Sequence, residues 1–117
     1  MKNNMLPLNE NYIQRIKSKY NDEQQEAIFV DKVSALVSAG AGSGKTAVLS
    51  ERTIALLKAG FDISRILILT FTDNAAQNMK IRIKAKISED KDGDIKEAEK
   101  YVSGADIMTF DSFNRKL

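Results

Sequence analysis

A glycine-dense segment in the first half of the chain constrains its fold more than any other feature. Between Val33 and Thr46 the sequence reads VSALVSAGAGSGKT: an apolar run, closely spaced glycines, and a Lys-Thr pair that opens an amphipathic stretch. Glycines let the backbone turn sharply and bring successive N–H groups against phosphate oxygens. Lys45 supplies a positive charge, and Thr46 supplies a hydroxyl suited to Mg²⁺. The segment predicts a phosphate-binding loop between a strand and a helix.

This loop predicts a site for a nucleoside triphosphate with Mg²⁺. Its candidate residues are Ala39, Gly40, Ala41, Gly42, Ser43, Gly44, Lys45 and Thr46, with Thr46 as the metal ligand. The strict pattern GxxxxGK(S/T) has glycine where this chain has Ala39, so the match is to a relaxed form. A flexible glycine turn is the alternative, but such a turn has no use for the Lys-Thr pair.

Composition narrows the functional classes. The chain has 117 residues, which is enough for one domain with a single core. Its net charge of +2 arises from 18 basic and 16 acidic residues, so any contact with nucleic acid must be local. Cysteine and histidine are absent, which excludes disulfides, cysteine nucleophiles, histidine bases and the usual zinc sites. No apolar run has the length of a membrane span or signal peptide, and we expect a soluble, cytoplasmic protein.

The patterns along the chain predict an α/β fold. We expect a loose lead-in over the first dozen residues and a short helix at 12–19. The further predicted elements are a helix starting at Asn21-Asp22, a strand at 33–38, a helix at 45–59 closed by Gly60, a strand at 65–71, a helix at 73–87, a charged surface loop at 88–100 leading into a short helix, a strand at 105–110 and a helix from Asp111. The strand RILILTF is continuously apolar, as is typical of a parallel strand covered on both faces.

The segment from Asp73 to Ile87 carries two competing patterns. KIRIKAKI alternates charged and apolar residues with the period of a strand. An apolar stripe at spacings of three and four favours a helix instead: Ala76, Met79, Ile83 and Ile87. Asp73 could cap that helix, which leaves Ile81 off the stripe. The basic residues Lys80, Arg82, Lys84 and Lys86 surround it, so we expect them to be solvated rather than to bind DNA.

Four segments in order carry a family resemblance. NDEQQEAI, SAGAGSGKTAVLSERT, ILILTFTDNAAQNMKIRI and TFDSF together resemble the start of a superfamily-one DNA helicase of the UvrD/Rep type. Within that family the sequence looks most like the AddA/RecB-like helicase-nuclease subunits. The resemblance implies a P-loop NTPase of RecA-like fold, here a partial parallel sheet of about three strands flanked by helices. It also implies that residues 1–20 are a lead-in and residues 21–117 the first part of a truncated ATP-binding domain.

The resemblance further implies residue roles. Gln24 matches the glutamine that reads the adenine base, although the adjacent Gln25 is an alternative. Phe71 and Thr72 match a DNA-contacting segment, with a core position as the alternative for Phe71. Thr109 and Ser112 match residues near DNA.

Two positions depart from the family pattern. Asp73-Asn74 stands where the family usually has Asn-Lys, which weakens the DNA assignment because a carboxylate repels phosphate. Asp111 stands where histidine is commoner. This aspartate occurs in the nuclease-associated branch, and capping of the last helix is its alternative role.

The implied function is that of an ATP-dependent DNA helicase acting on single- and double-stranded DNA with ATP and Mg²⁺, with a nuclease partner subunit and a role in DNA repair. No strand followed by an Asp-Glu pair occurs after the loop, and an arginine from a second domain is missing. No catalytic set is complete, and we expect this chain to bind nucleotide without turning it over. A stand-alone P-loop nucleotide-binding or kinase-like protein is the alternative. Exposed sheet edges also predict self-association.

Overall fold

The computed structural model describes residues 6–29, 36–37, 43–70 and 72–116, with the backbone alone at 36–37, 43–46, 110, 113 and 116. Helices and strands alternate through the middle of the chain, giving an α/β architecture. In chain order the elements are α1 (Glu10–Lys19), α2 (Asp22–Phe29), β1 (Leu36–Val37), α3 (Ser43–Lys58), a first 3-10 helix (Ile63–Arg65), β2 (Leu67–Thr70), α4 (Asp73–Glu89), a second 3-10 helix (Lys96–Gly104), β3 (Asp106–Thr109) and α5 (Phe110–Lys116).

The three strands form one parallel sheet in the order β1-β2-β3. Val37 pairs with Leu69, and Thr70 pairs with Thr109, so the strands end near a common edge. Helix α3 connects β1 to β2, and α4 connects β2 to β3 and packs against both of those strands. Within the described residues, no helix combines the length and apolar character needed to cross a bilayer.

Helix α3 ends where the sequence predicts. Gly60 has φ +105°, a conformation that side-chain-bearing residues rarely adopt. The N–H of Gly60 donates to the carbonyl of Leu57, and the N–H of Phe61 donates to that of Leu56. This pair of bonds satisfies carbonyls that the last turn of a helix leaves without partners. The role predicted for Gly60 is confirmed.

The segment after β2 is a helix, as its apolar stripe predicts. Ala76, Met79, Ile83 and Ile87 are all buried, whereas Ile81 is 65% exposed. The predicted cap is wrong, because Thr72 rather than Asp73 occupies the N-cap position and its side chain accepts a hydrogen bond from the N–H of Ala75. Asp73 lies in the first turn, where a carboxylate interacts favourably with the helix dipole.

The N-terminal segment is not a loose lead-in from Leu6 onward. Leu6 is buried, and its N–H donates to the carbonyl of Phe29 at the end of α2. Helix α1 begins at Glu10, after the Asn9 side chain has capped it, and it buries Tyr12 and Ile16 in the core. The first dozen residues therefore include part of the folded structure.

The charged stretch at 88–100 is not a simple solvated loop. The ammonium group of Lys58, whose side chain is 1% exposed, lies 3.0 Å from Asp90, 2.9 Å from Asp92 and 2.8 Å from Asp94. Arg15 of α1 also pairs with Asp92 at 3.0 Å. These aspartates fix the turn after α4 to the ends of α1 and α3. The expectation of surface solvation is therefore wrong for these three residues.

Candidate nucleotide-binding site

The candidate residues converge on one edge of the sheet. Strands β1, β2 and β3 run parallel, and their carboxyl ends lie at Val37, Thr70 and Thr109. The glycine-rich segment, the segment containing Thr72, and Ser112 each follow one of these ends. Ligands of open parallel sheets bind outside the carboxyl ends of the strands, so this edge is the candidate functional site.

The glycine-rich segment leads directly into α3. Ala39, Gly40, Ala41 and Gly42 lie outside the described residues, as do the side chains of Ser43, Gly44, Lys45 and Thr46. The backbone from Ser43 to Thr46 forms the first turn of α3, so the helix begins two residues earlier than predicted. First-turn N–H groups have no acceptor within their own helix and carry the positive end of its dipole. This backbone arrangement fits an anionic ligand such as phosphate.

Gln24 and Gln25 both act at the start of α2. The N–H of Gln24 donates to the Asn21 side chain at 2.8 Å, and the N–H of Asn21 donates to the Gln24 side-chain carbonyl at 2.9 Å. This reciprocal pair is a capping box. The Gln25 amide donates to the carbonyl of Tyr20 at 2.7 Å. Each glutamine therefore has a structural role, and recognition of adenine by Gln24 stays a prediction.

The candidate DNA-contacting residues lie at helix starts. Thr72 is exposed and caps α4, while Phe71 lies outside the described residues. The structure brings Thr109 and Ser112 together, since the Thr109 hydroxyl accepts from the Ser112 N–H at 3.0 Å and donates to the Ser112 hydroxyl at 3.0 Å. Asp111 does not cap α5, because its carboxylate pairs with Arg115 at 2.9 Å on the exposed surface. Contact of these residues with DNA stays a prediction.

Two of the basic residues on α4 are not simply solvated. The Lys86 ammonium lies 3.0 Å from the buried carboxylate of Glu51, and the Lys80 ammonium donates to the carbonyl of Ser103 at 3.0 Å. Arg82 and Lys84 are exposed, as expected. The pattern of alternating charges therefore contains two residues that connect α4 to its neighbours.

The three aspartates around Lys58 also have the spacing of a metal site, since their carboxylate oxygens lie within 4.8 Å of one another. The Lys58 ammonium already bonds to all three, so the cluster is balanced by a cation of the chain itself. Burial lowers the pKa of Lys58, but the hydrogen bonds to Asp92, Asp94 and Asp90 outweigh it and raise the pKa overall. Bonds from Arg15, Lys58 and Asn9 hold the pKa of Asp92 well below its usual range.

Sequence reasoning missed this cluster and the buried carboxylate of Glu51. The partners of Lys58 lie 32 to 36 residues away, and those of Glu51 lie on α1 and α4. The one available signal was the alternation of three aspartates from Asp90 to Asp94, which does not identify the partner.

Comparison with known proteins gives consistent matches. Residues 20–117 match the family described as the UvrD/REP helicase N-terminal domain. The exonuclease/helicase subunit RexA of Lactococcus lactis subsp. cremoris is 40% identical over 107 residues, covering 85% of this chain and 9% of that protein. An ATP-dependent helicase/nuclease subunit of Heliobacterium modesticaldum is 46% identical over 72 residues, covering 62% and 5%. Its namesake from Enterococcus faecalis is 48% identical over 69 residues, covering 59% and 6%. The chain thus spans less than a tenth of the length of these relatives.

Proposed function

Because this chain belongs to the UvrD/REP helicase N-terminal domain family, we propose that it is the ATP-binding part of an ATP-dependent DNA helicase with a P-loop, RecA-like fold. The observation that carries the proposal is the helix start at Ser43, directly after the glycine-rich segment and at the carboxyl edge of a parallel sheet. The names of the relatives, which describe helicase/nuclease and exonuclease/helicase subunits, support the same class for the longer protein. In this proposal the longer protein moves along single-stranded DNA, unwinds duplex DNA and has a nuclease partner subunit.

The loop residues have distinct roles in this proposal. Backbone N–H groups from Gly40 to Thr46 donate to the phosphate oxygens, and the Lys45 ammonium neutralises part of their charge. The Thr46 hydroxyl is a ligand for Mg²⁺, which fits the preference of that ion for oxygen ligands. When bound, Mg²⁺ neutralises charge on the terminal phosphates. The chain itself orients the triphosphate and excludes water from one side of it.

The remaining candidates surround this loop. The Gln24 carboxamide offers an acceptor and donors in the arrangement that matches an adenine edge. Its carbonyl oxygen has a second lone pair besides the one used by the Asn21 N–H, so helix capping and base recognition are compatible. Phe71 would stack on bases without sequence preference, and Thr72, Thr109 and Ser112 would contact the DNA backbone.

Measurement of MgATP affinity tests the proposal. We expect wild-type protein to bind a fluorescent MgATP analogue, and Lys45→Ala to bind it at least 10-fold more weakly, because a charge-assisted bond contributes about 1.5–3 kcal/mol. Lys84→Ala is a matched control, since it removes the same charge from an exposed position on α4. Equal affinities of wild type and Lys45→Ala would contradict the site.

Hydrolysis separates the main proposal from the alternative. We expect phosphate release by this chain to match the buffer rate, because no strand followed by an Asp-Glu pair follows the loop in its 117 residues. A stand-alone kinase-like protein would turn over ATP in a Lys45-dependent manner and transfer phosphate to an acceptor. Detection of such turnover would favour the kinase-like alternative.

A further inference from the structure

A run of polar side chains is buried in the middle of α3, the helix that begins at the proposed nucleotide loop. The four consecutive residues are at most 5% exposed: Ser50, Glu51, Arg52 and Thr53. The hydroxyls of Ser50 and Thr53 donate to carbonyls of α3 itself. Glu51 and Arg52 instead reach other elements. Burying charged groups costs free energy unless they are paired, so these two residues need specific partners.

Glu51 joins three elements through one carboxylate. The hydroxyl of Tyr12 on α1 donates to its Oε2, and the Lys86 ammonium on α4 lies 3.0 Å from its Oε1. The hydroxyl of Tyr20, which follows α1, lies 3.3 Å from the same Oε1. Burial and the neighbouring Glu51 carboxylate raise the pKa of Tyr20 to about 12 and that of Tyr12 still further, so both hydroxyls remain donors. We call Tyr12, Tyr20, Glu51 and Lys86 the Glu51 cluster.

Arg52 attaches α3 to a further helix. Its Nη1 donates to the carbonyl of Ile28 near the end of α2, at 3.0 Å. Helix α2 carries Gln24, the proposed adenine contact, at its other end. The polar contacts of two adjacent residues therefore connect α3 to α1, α2 and α4.

These contacts differ from apolar packing in what they fix. Apolar contact is non-directional and allows small sliding of one helix along another. Charge-assisted hydrogen bonds need defined distances and angles, so they select one axial position of α3. Such buried pairs add little net stability relative to apolar replacements, and fixing a unique arrangement is their better-supported role.

We propose that Glu51 is a positioning residue that fixes the first turn of α3, and with it the Ser43–Thr46 end of the nucleotide loop. Glu51 lies eight residues, or about 12 Å along the helix axis, from Ser43, so it acts without touching the ligand. The effect on nucleotide affinity rests on the proposed function. The effect on the position of the first turn does not.

The test removes the whole polar network at once. In the triple variant Tyr12→Phe, Glu51→Leu, Lys86→Met, the polar atoms that bond Glu51 to α1 and α4 are replaced together, so urea unfolding should give a midpoint close to that of wild type. We expect the backbone amide resonances of residues 43–46, recorded without nucleotide, to shift or broaden, and the affinity for the fluorescent MgATP analogue to fall about 10-fold. The control variant Glu97→Gln, Lys100→Met removes an exposed ion pair and should change neither quantity.

Three outcomes separate the possible explanations. Unchanged resonances at 43–46 in a folded triple variant would overturn the proposal, because a group that only stabilises the fold does not act on a turn about 12 Å away. If the triple variant fails to fold, Glu51→Gln decides: smaller shifts of the same resonances support the proposal, and none overturns it. Absence of Lys45-dependent ATP binding in wild type would reject the proposed function, while the resonances would still decide the role of Glu51.

Discussion

Single side chains at the carboxyl edge of the sheet serve the fold even where a ligand role is proposed for them. Gln24 completes a capping box, and Thr72 and Thr109 accept hydrogen bonds from N–H groups in the first turns of α4 and α5. Such side chains satisfy donors that a helix leaves unpaired. A variant at any of these positions therefore changes helix stability as well as any contact with a ligand.

The caps can be tested separately from ligand binding. We expect Thr72→Ala to lower the free energy of unfolding by about 1 kcal/mol, because the Ala75 N–H loses its acceptor. Asp73→Ala should cost less, about 0.3–1 kcal/mol, since it removes only a favourable interaction with the helix dipole. Urea unfolding of both variants measures the difference. A larger loss for Asp73→Ala would mean that Asp73, not Thr72, is the cap.

The depressed pKa of Asp92 makes a prediction about acid. A carboxylate whose pKa is lowered by folding stabilises the protein above its unfolded-state pKa of about 4, and this contribution is lost as the pH falls through the folded-state pKa. Asp92→Asn removes that contribution. We expect its free energy of unfolding to fall less steeply than that of wild type below about pH 4. Parallel pH profiles for the two proteins, measured by urea unfolding, would show that Asp92 is not responsible.

At the scale of elements, α4 shows how one periodic signal prevails over another. Its sequence alternates charged and apolar residues like a strand, but the helical stripe places four apolar side chains in the core. As a helix, the segment exposes Ile81 alone among its large apolar residues and packs against β2, β3 and α3. As a strand, it would lose this common buried face.

A pair of isoleucine variants tests the orientation of α4. Ile83 is fully buried, and we expect Ile83→Ala to lower the free energy of unfolding by about 2–4 kcal/mol through lost burial and the cavity left behind. Ile81→Ala makes the same chemical change at a site that is 65% exposed, and should remain within about 0.5 kcal/mol. Both values come from urea unfolding. Similar losses at the two positions would contradict the observed helix face.

At the scale of the whole molecule, the segment before residue 20 belongs to the folded unit although the family match begins at residue 20. Leu6, Tyr12 and Ile16 are buried, and α1 contributes donors to Glu51 and Asp92. A domain boundary at residue 20 would cut through these contacts. Position outside the family match therefore does not indicate structural independence.

A truncated chain tests this integration. We expect a protein consisting of residues 21–117 to fail to unfold cooperatively in urea, because each lost buried side chain contributes about 1.5–3 kcal/mol to a total stability of about 5–15 kcal/mol. Circular dichroism of the truncated and full chains makes the comparison. A cooperative transition with the wild-type midpoint in the truncated protein would show that α1 is dispensable.

The sequence alone determined the features that depend on near neighbours. Gly60 as a helix end, the buried stripe from Ala76 to Ile87 and the family resemblance follow from short patterns, because backbone sterics and helical periodicity act over a few residues. Only the tertiary structure decided which distant charges meet. Lys58 among three aspartates and Glu51 beneath Tyr12 and Lys86 depend on how α1, α3 and α4 pack, and no local pattern encodes a partner some 30 to 40 residues away.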